Sequence, residues 1–424
     1  MRHNIILAII AILALSNAEA QTTLSDYREE VIGYSHEMEI ATLATEATEA
    51  DMRQAKKGYL PTLAIGAEAS LDFRDARPSR PWSWLADVTL SQTIYDGGGV
   101  RATTKRSEAL HTKSIEDKTL ALMDVIYVAD QAYWRLSRAE SHLMTIKEYV
   151  AVVDSLRIVV KHRYDEGYSA KGDLLQIESR ISDARYQLSS AEQSYRIALH
   201  TYNSLRGAEI ESSVILAESI FDIDDVPQRV SVDDIVEQHP SYLSMLQSVE
   251  VALWGIKSSR AKFLPTMNLS VYGTVQPNVP NIRGGGSMVH GGAILSLSTP
   301  IFHFGERREA RNSAEAKYLQ QIVFAEQVVD EIRLMEGDAW VNIYNARHRV
   351  DVTLESLAIA KENLAMSIYS YGEGMTTILD VLQAQLSWLQ ISQNAISAYY
   401  DYAMAIASYE YVAATTLQHI STPQ

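Results

Sequence analysis

One pattern is written twice along this chain, and no other feature constrains the fold as tightly. Tyr164-Asp165-Glu166-Gly167 recurs 207 residues later as Tyr371-Gly372-Glu373-Gly374. At the same displacement Asp173-Leu174-Leu175-Gln176 meets Asp380-Val381-Leu382-Gln383, Ala132-Tyr133 meets Ala339-Trp340, and Ile94-Tyr95 meets Ile301-Phe302. Upstream, Tyr59-Leu60-Pro61-Thr62 matches Phe263-Leu264-Pro265-Thr266 at a displacement of 204, so a short slip falls between the prolines and the Ile-aromatic pairs. None of the ten prolines lies between Pro81 and Pro227, or between Pro300 and Pro423. Proline breaks helices by removing a donor and clashing with the preceding turn, so these two tracts predict matching long helical assemblies.

Within each half the hydrophobic period changes in a fixed order. A helical stretch comes first, over about 24–57 and about 231–262. Two segments of period two follow. Leu63, Ile65, Ala67, Ala69 and Leu71 alternate with Ala64, Gly66, Glu68, Ser70 and Asp72, and Trp84, Ala86, Val88 and Leu90 alternate with Asp87, Thr89, Ser91 and Thr93. The second half repeats this with Met267, Leu269 and Val271, then with Ala293, Leu295 and Leu297. These spacings predict strands with one apolar face. The connections Arg74–Pro81 and Pro277–Gly286 carry the Pro, Gly, Asn and Arg of loops.

The breaker-free tracts then hold a 4,3 alternation. It runs through Leu122, Ile126, Ala129, Tyr133 and Leu136; through Ile177, Ile181, Ala184, Leu188, Ala191, Tyr195, Ala198, Tyr202 and Leu205; and through Leu379, Leu382, Leu386, Leu389, Gln393, Ile396, Tyr400 and Ala403. Such spacing marks coiled-coil-like packing. Nothing interrupts Arg101–Tyr164, which predicts a helix of roughly 95 Å at 1.5 Å per residue. Gly167 and Gly374 supply the left-handed caps at which each long helix ends and the chain reverses.

The N-terminus reads as an export signal: Arg2, an apolar run from Ile5 to Leu15, and the small-x-small pattern Ala18-Glu19-Ala20. The expected organisation is therefore a signal peptide over 1–20, a first structural repeat over 21–226 and a second over 227–424. With 37 basic and 53 acidic residues the net charge is −16, which argues against nucleic acid as a partner. Absence of cysteine excludes disulfides and thiolate metal sites. No helical stretch is apolar enough to span a bilayer, so membrane insertion falls to the strands. Four strands cannot close a barrel, and an open edge in lipid leaves backbone groups unsatisfied. Closure needs several chains, eight strands from two or twelve from three, with Trp82 and Trp84 suited to an interfacial aromatic belt.

These residues resemble the outer membrane efflux proteins, the TolC family. The resemblance rests on the duplicated order of strands and helices, the Leu-Pro opening of each first strand, Ile94-Tyr95-Asp96-Gly97-Gly98, and the run Tyr371-Gly372-Glu373-Gly374-Met375-Thr376-Thr377-Ile378-Leu379-Asp380-Val381-Leu382. It implies a mostly α chain with membrane β: a homotrimer whose twelve-stranded β-barrel in the outer-membrane lipid continues into a twelve-helix periplasmic α-barrel. It also implies a passive exit duct without enzymatic activity or cofactor. An inner-membrane pump would drive it through a periplasmic adaptor (membrane fusion) protein docked at the helix-turn tips, Gly167 and Gly374. The position matching Asp380 forms a constricting carboxylate ring in that family. Those matching Tyr371 and Asp173 share a link that holds the tip shut. Thr376 stands where a latch arginine can occur, and Gln383 where a second acidic ring can occur, so a differently built latch is expected here. By charge alone, Asp173 and Asp380 also suit helix N-termini, with Thr377 a candidate cap.

Rival chemistry is thin. Gly97-Gly98-Gly99-Val100-Arg101-Ala102 fits a dinucleotide fingerprint only formally, because a long helix follows instead of a short βαβ unit. No catalytic arrangement or metal spacing emerges, and His162 and His303 stand isolated. A type I protein-secretion duct and an elongated helical scaffold or adhesin without a pore are the alternatives.

Overall fold

The computed structural model describes residues 21–71, 82–223, 226–277 and 287–417. The expected signal peptide, the loop Arg74–Pro81, nearly all of the loop Pro277–Gly286 and the side chain of Trp82 lie outside the described residues. In chain order the elements are α1 (Leu24–Tyr34), α2 (His36–Lys57), β1 (Thr62–Leu71), β2 (Trp82–Tyr95), α3 (Gly99–Asp165), α4 (Lys171–Leu205), α5 (Val232–Gln238), α6 (Pro240–Ala261), β3 (Thr266–Pro277), β4 (Ser287–Ser298), α7 (Glu306–Gly372) and α8 (Ile378–Val412). Helices α3 and α7 each have 67 residues, and α4 and α8 each have 35. All four boundaries of the first pair recur 207 residues on in the second.

Both early helical stretches are broken where continuous helices were expected. Ser35 leaves helical geometry at ψ 118° and His239 at ψ 125°. The causes differ. Pro240 pushes the residue before it toward extended backbone, whereas Ser35 caps α2 by accepting a hydrogen bond from the Met38 N–H at 3.3 Å.

Two compact units make up the chain, and each draws on both halves. One comprises Met1–Ile40, Thr119–His239 and Asp330–Gln424; the other comprises Ala41–Lys118 and Pro240–Val329. In the second unit, β1 to β4 form one antiparallel sheet in sequence order. Residues paired across strands share a face, and the register aligns Leu63 with Leu90, Ile65 with Val88, Leu90 with Val271, Val271 with Ala293, and Leu269 with Leu295. One face is therefore apolar across all four strands. Ser91, Ser270, Thr89, Tyr272, Asp87 and Thr274 pair on the other. The apolar face is bare: Ile65 is 80% and Leu297 66% exposed. With β1 and β4 as open edges, this is a barrel segment whose apolar face meets lipid once copies close the ring.

The Gly-rich run after β2 is a strand-to-helix junction. Asp96 caps α3 by accepting from the N–H groups of Gly98 and Val100. Gly97 is required there, because its φ is +69° and a side chain would run into Leu264. Ile301-Phe302, which match Ile94-Tyr95 in sequence, do not match them in structure. Ile94-Tyr95 end β2, whereas β4 stops at Ser298 and leaves Ile301-Phe302 in the junction to α7.

In the first unit most of the expected seam is buried, while Leu122, Leu188, Tyr195 and Leu205 are half-buried. Ile126, Ala129, Tyr133 and Leu136 on α3 and Ile177, Ile181, Ala184, Ala191, Ala198 and Tyr202 on α4 are all nearly inaccessible. Burial of each large apolar side chain contributes about 1.5–3 kcal/mol. Helix α8 departs from expectation. Leu379 is 60% exposed, and a second stripe, Ile378, Val381, Gln385, Trp388, Ser392, Ala395, Tyr399 and Tyr402, is buried beside the expected one. A helix packed on two sides buries two stripes, and a single 4,3 register finds only one.

Candidate functional site: the paired helix-turn tips

Both tips use the same backbone device. Gly167 has φ +82°, its N–H donates to the Tyr164 carbonyl at 3.0 Å, and the Tyr168 N–H donates to the Arg163 carbonyl at 2.7 Å. Gly374 has φ +75°, its N–H donates to the Tyr371 carbonyl at 3.0 Å, and the Met375 N–H donates to the Ser370 carbonyl at 2.9 Å. Left-handed backbone costs a residue with a side chain roughly 1–2 kcal/mol, which glycine avoids. Below the turns, Tyr149, Val153, Leu156 and Val160 on α3, Ile177 on α4, Leu364 on α7, and Val381 and Trp388 on α8 belong to one buried cluster. The tips therefore stand on a shared apolar base.

The helices that restart after the turns begin differently. Thr377 and Asp380 form a reciprocal cap on α8. The Asp380 Oδ2 accepts from the Thr377 hydroxyl at 2.6 Å, the Thr376 hydroxyl at 2.7 Å and the Thr377 N–H at 3.0 Å. These donors, the Thr377 hydroxyl foremost, hold the Asp380 carboxyl below the usual aspartate range. Asp380 remains exposed, so its negative charge faces solvent at the tip. On α4 the N-cap residue is Ala170, which offers no side-chain bond. Asp173 instead accepts from the Ser169 hydroxyl at 2.8 Å.

The link implied between Tyr371 and Asp173 is not made in this structure. Tyr371 is 4% exposed, and its hydroxyl is buried without a hydrogen-bond partner. A residue not foreseen from sequence ties the two tips instead. Arg163, in the last turn of α3, donates from Nη1 to the carbonyls of Tyr371 at 2.6 Å and Gly372 at 3.1 Å. Its guanidinium also stands 5.0 Å from the centre of the Tyr371 ring. A cation thus joins the Gly374 N–H at the Tyr371 carbonyl, reaches the Gly372 carbonyl as well, and lies at the negative end of the α7 dipole. The repeat gives no hint of this, because Ser370 occupies the matching place in the second half. The only local signal is a basic residue in the last turn of a helix.

A second polar cluster in this unit was equally invisible. Arg28 grips Asp130 with two hydrogen bonds of 2.6 and 2.7 Å and reaches Glu410 at 3.4 Å. Burial pushes the Asp130 carboxyl up against the opposing pull of Arg28. Nearby, Tyr27 stacks on Tyr202 at 3.9 Å between ring centres, and burial pushes the Tyr202 phenol up to about 12. The Arg28 partners lie 102 and 382 residues away in sequence.

Comparison with known proteins bears on this geometry. Residues 28–208 and 232–408 match the family model described as outer membrane efflux protein. Protein CyaE of Bordetella pertussis is 24% identical over 366 residues, covering 83% of this chain and 75% of its own. Outer membrane efflux protein BepC of Brucella suis is 22% identical over 362 residues, covering 85% and 78%. The solved structure of CusC superimposes with a TM-score of 0.82 at 17% identity, covering 93% of this chain and 92% of that one.

Proposed function

This chain belongs to the outer membrane efflux protein family, whose members are non-enzymatic trimeric channels of the outer membrane that work with efflux systems, and we propose from that premise how its tips serve a duct for small toxic molecules. The paired tips are the periplasmic entrance. Gly167 and Gly374 present the turns on which a periplasmic adaptor docks, and the adaptor couples the duct to an inner-membrane pump that supplies the energy. Residues 21–226 and 227–424 are the two repeats that each contribute one strand pair and one hairpin to the wall. Asp380, Asp173, Tyr371 and Thr376 surround the resting gate, Tyr371 through its carbonyl on Arg163 and Thr376 through the Asp380 cap. In a threefold assembly Asp380 becomes a ring of like charges, which favours cations and resists closer approach.

The observation that carries this reading is the Arg163 tie. A guanidinium on one hairpin holds the last carbonyls of the other, so the second tip swings away only by giving up two charge-assisted hydrogen bonds. Thr376, whose hydroxyl serves the Asp380 cap at 2.7 Å, is committed locally and leaves the latch to Arg163. A charge-assisted hydrogen bond is worth about 1.5–3 kcal/mol. Arg163→Gln should therefore raise the open probability of the channel in planar bilayers at least about tenfold, since 1.4 kcal/mol is a factor of ten. Unchanged recordings would remove Arg163 from the gate. A strain lacking the protein should become hypersensitive to toxic small molecules; loss of a secreted protein without hypersensitivity would instead assign the duct to type I secretion.

A further inference from the structure

The two strand-to-helix junctions differ in length and in chemistry. Three residues separate β2 from α3, and seven, 299–305, separate β4 from α7. Both turn through two successive left-handed residues at matching positions: Gly97 and Gly98 at φ +69° and +88°, and Phe304 and Gly305 at +42° and +89°. Phenylalanine at such a φ costs of order 1–3 kcal/mol, and strain of this kind persists where it serves a purpose. Phe304 and Ile301 are both 92% exposed and Phe302 is 72% exposed. The Phe302 and Phe304 rings meet edge to face at 4.6 Å. His303 between them is pinned by the edge of the Phe263 ring at 5.8 Å and by Glu306 at 3.2 Å. Three large apolar side chains are thus held out on a fixed hook.

Phe263 also lines a neighbouring cavity of about 310 Å³ at the ends of α6 and α7, together with Arg260, Arg307, Arg311, Ser259 and Glu315. Arg311 is paired with Glu315 at 2.6 Å. Arg260 and Arg307 have no carboxylate partner among the described residues, so the cavity keeps an excess of positive charge. Arginine forks match phosphate oxygens.

We infer that this corner binds a phospholipid of the membrane leaflet on the helix side of the sheet. Its phosphate sits among Arg260, Arg307 and Arg311, and the upper part of its chains lies against Ile301, Phe302 and Phe304. The order of the chemistry decides the occupant. The hook continues directly from β4, whose Leu295 and Leu297 lie on the apolar sheet face. The arginines sit one layer further toward the helices. Hydrocarbon followed by phosphate is the sequence a leaflet presents. The shorter junction carries Gly97 where the longer one carries Phe304.

The chain contains no cysteine, so a Phe304→Cys variant carries one fluorescent label without background. Bimane there should be quenched in phosphatidylethanolamine–phosphatidylglycerol vesicles when the acyl chains are brominated. Phe304→Gly, which installs the residue found at the matching position, should keep the trimer folded and lose retained phosphatidylglycerol in native mass spectrometry. Arg260→Gln and Arg307→Gln should each weaken retention about fivefold, from about 1 kcal/mol per basic residue near an anionic surface. No quenching, together with cross-linking of the unlabelled Phe304→Cys thiol to a neighbouring protomer by a bifunctional thiol–amine reagent, assigns the hook to a subunit interface and overturns the inference. Retention by Phe304→Gly equal to the parent also overturns it. Binding of inorganic phosphate alone, with no lipid retained, reassigns the cavity to free anions and rejects the lipid.

Discussion

Arg28 and Arg229 each grip a buried carboxylate with two hydrogen bonds, one arginine in each half of a duplicated chain. Arg28 is 14% exposed and holds Asp130, while Arg229 is 48% exposed and holds Glu336 at 2.8 and 3.0 Å. The acids are not repeat counterparts: Gly337 matches Asp130, and Ala129 matches Glu336. The hairpin restarts diverge in the same way, with a reciprocal Thr-Asp cap on α8 and an uncapped Ala170 before α4. Apolar spacing and the tip glycines set identical helix boundaries in both halves, and those boundaries leave the polar contacts free to differ. The frame is common to the halves, whereas the chemistry is particular to each.

That contrast can be broken by experiment. Removing Arg28 strands Asp130, which has no exposed surface; Arg28→Ala should cost about 3–5 kcal/mol, as for other severed buried ion pairs. Thermal unfolding of the purified protein should show a distinctly smaller loss for Arg229→Ala, because water already reaches that guanidinium. Equal losses would mean that the two pairs are interchangeable after all.

A smaller effect is expected at the caps. Thr377→Ala should destabilise the start of α8 by about 1 kcal/mol, and Ala170→Thr should strengthen the start of α4 by a comparable amount. Amide hydrogen exchange over the first turn of each helix reads both. If the parent protein already protects the two ends equally, the cap asymmetry has no consequence.

The smallest effect concerns pH. The Asp380 carboxyl is held below its ordinary value of 3.8 by the hydroxyls of Thr377 and Thr376 and by the Thr377 N–H. A depressed acid stabilises fully above its unfolded-state value, and that stabilisation disappears as pH falls through the folded-state value. Protection of the α8 N-terminus should therefore stay flat from neutral pH down to about 4 and decline only below. A decline beginning near about pH 6 would show that Asp380 is not the group that holds this cap.

Much of the frame was legible because it is local and periodic. The 4,3 spacing names much of the buried face of α3 and α4, and alternation names the strand faces. Gly167 and Gly374 mark the reversals, and Thr377 caps α8 as its place three residues before Asp380 predicts. The failures have equally physical causes. Ser35 breaks a helix through its own side-chain bond, with no proline to announce it. Leu379 fits a 4,3 seam in sequence yet stands exposed, because α8 carries two buried stripes in offset registers. Ile301-Phe302 matched a strand end in sequence but sits in a junction, since residue identity does not fix where a ladder stops.

By itself, then, the sequence determined the duplicated order of strands and long helices, the reach of those long helices and the sidedness of the strands, because each follows from bonds and contacts a few residues apart. Only the tertiary structure decided that Arg163, rather than a Tyr371–Asp173 link, joins the two tips, that Arg28 meets Asp130 and Glu410, and that Phe304 stands exposed beside an arginine-lined cavity. The polar contacts among these join residues from 102 to 382 positions apart. Their partners are chosen by how the packed helices bring side chains together, and no local period records that choice.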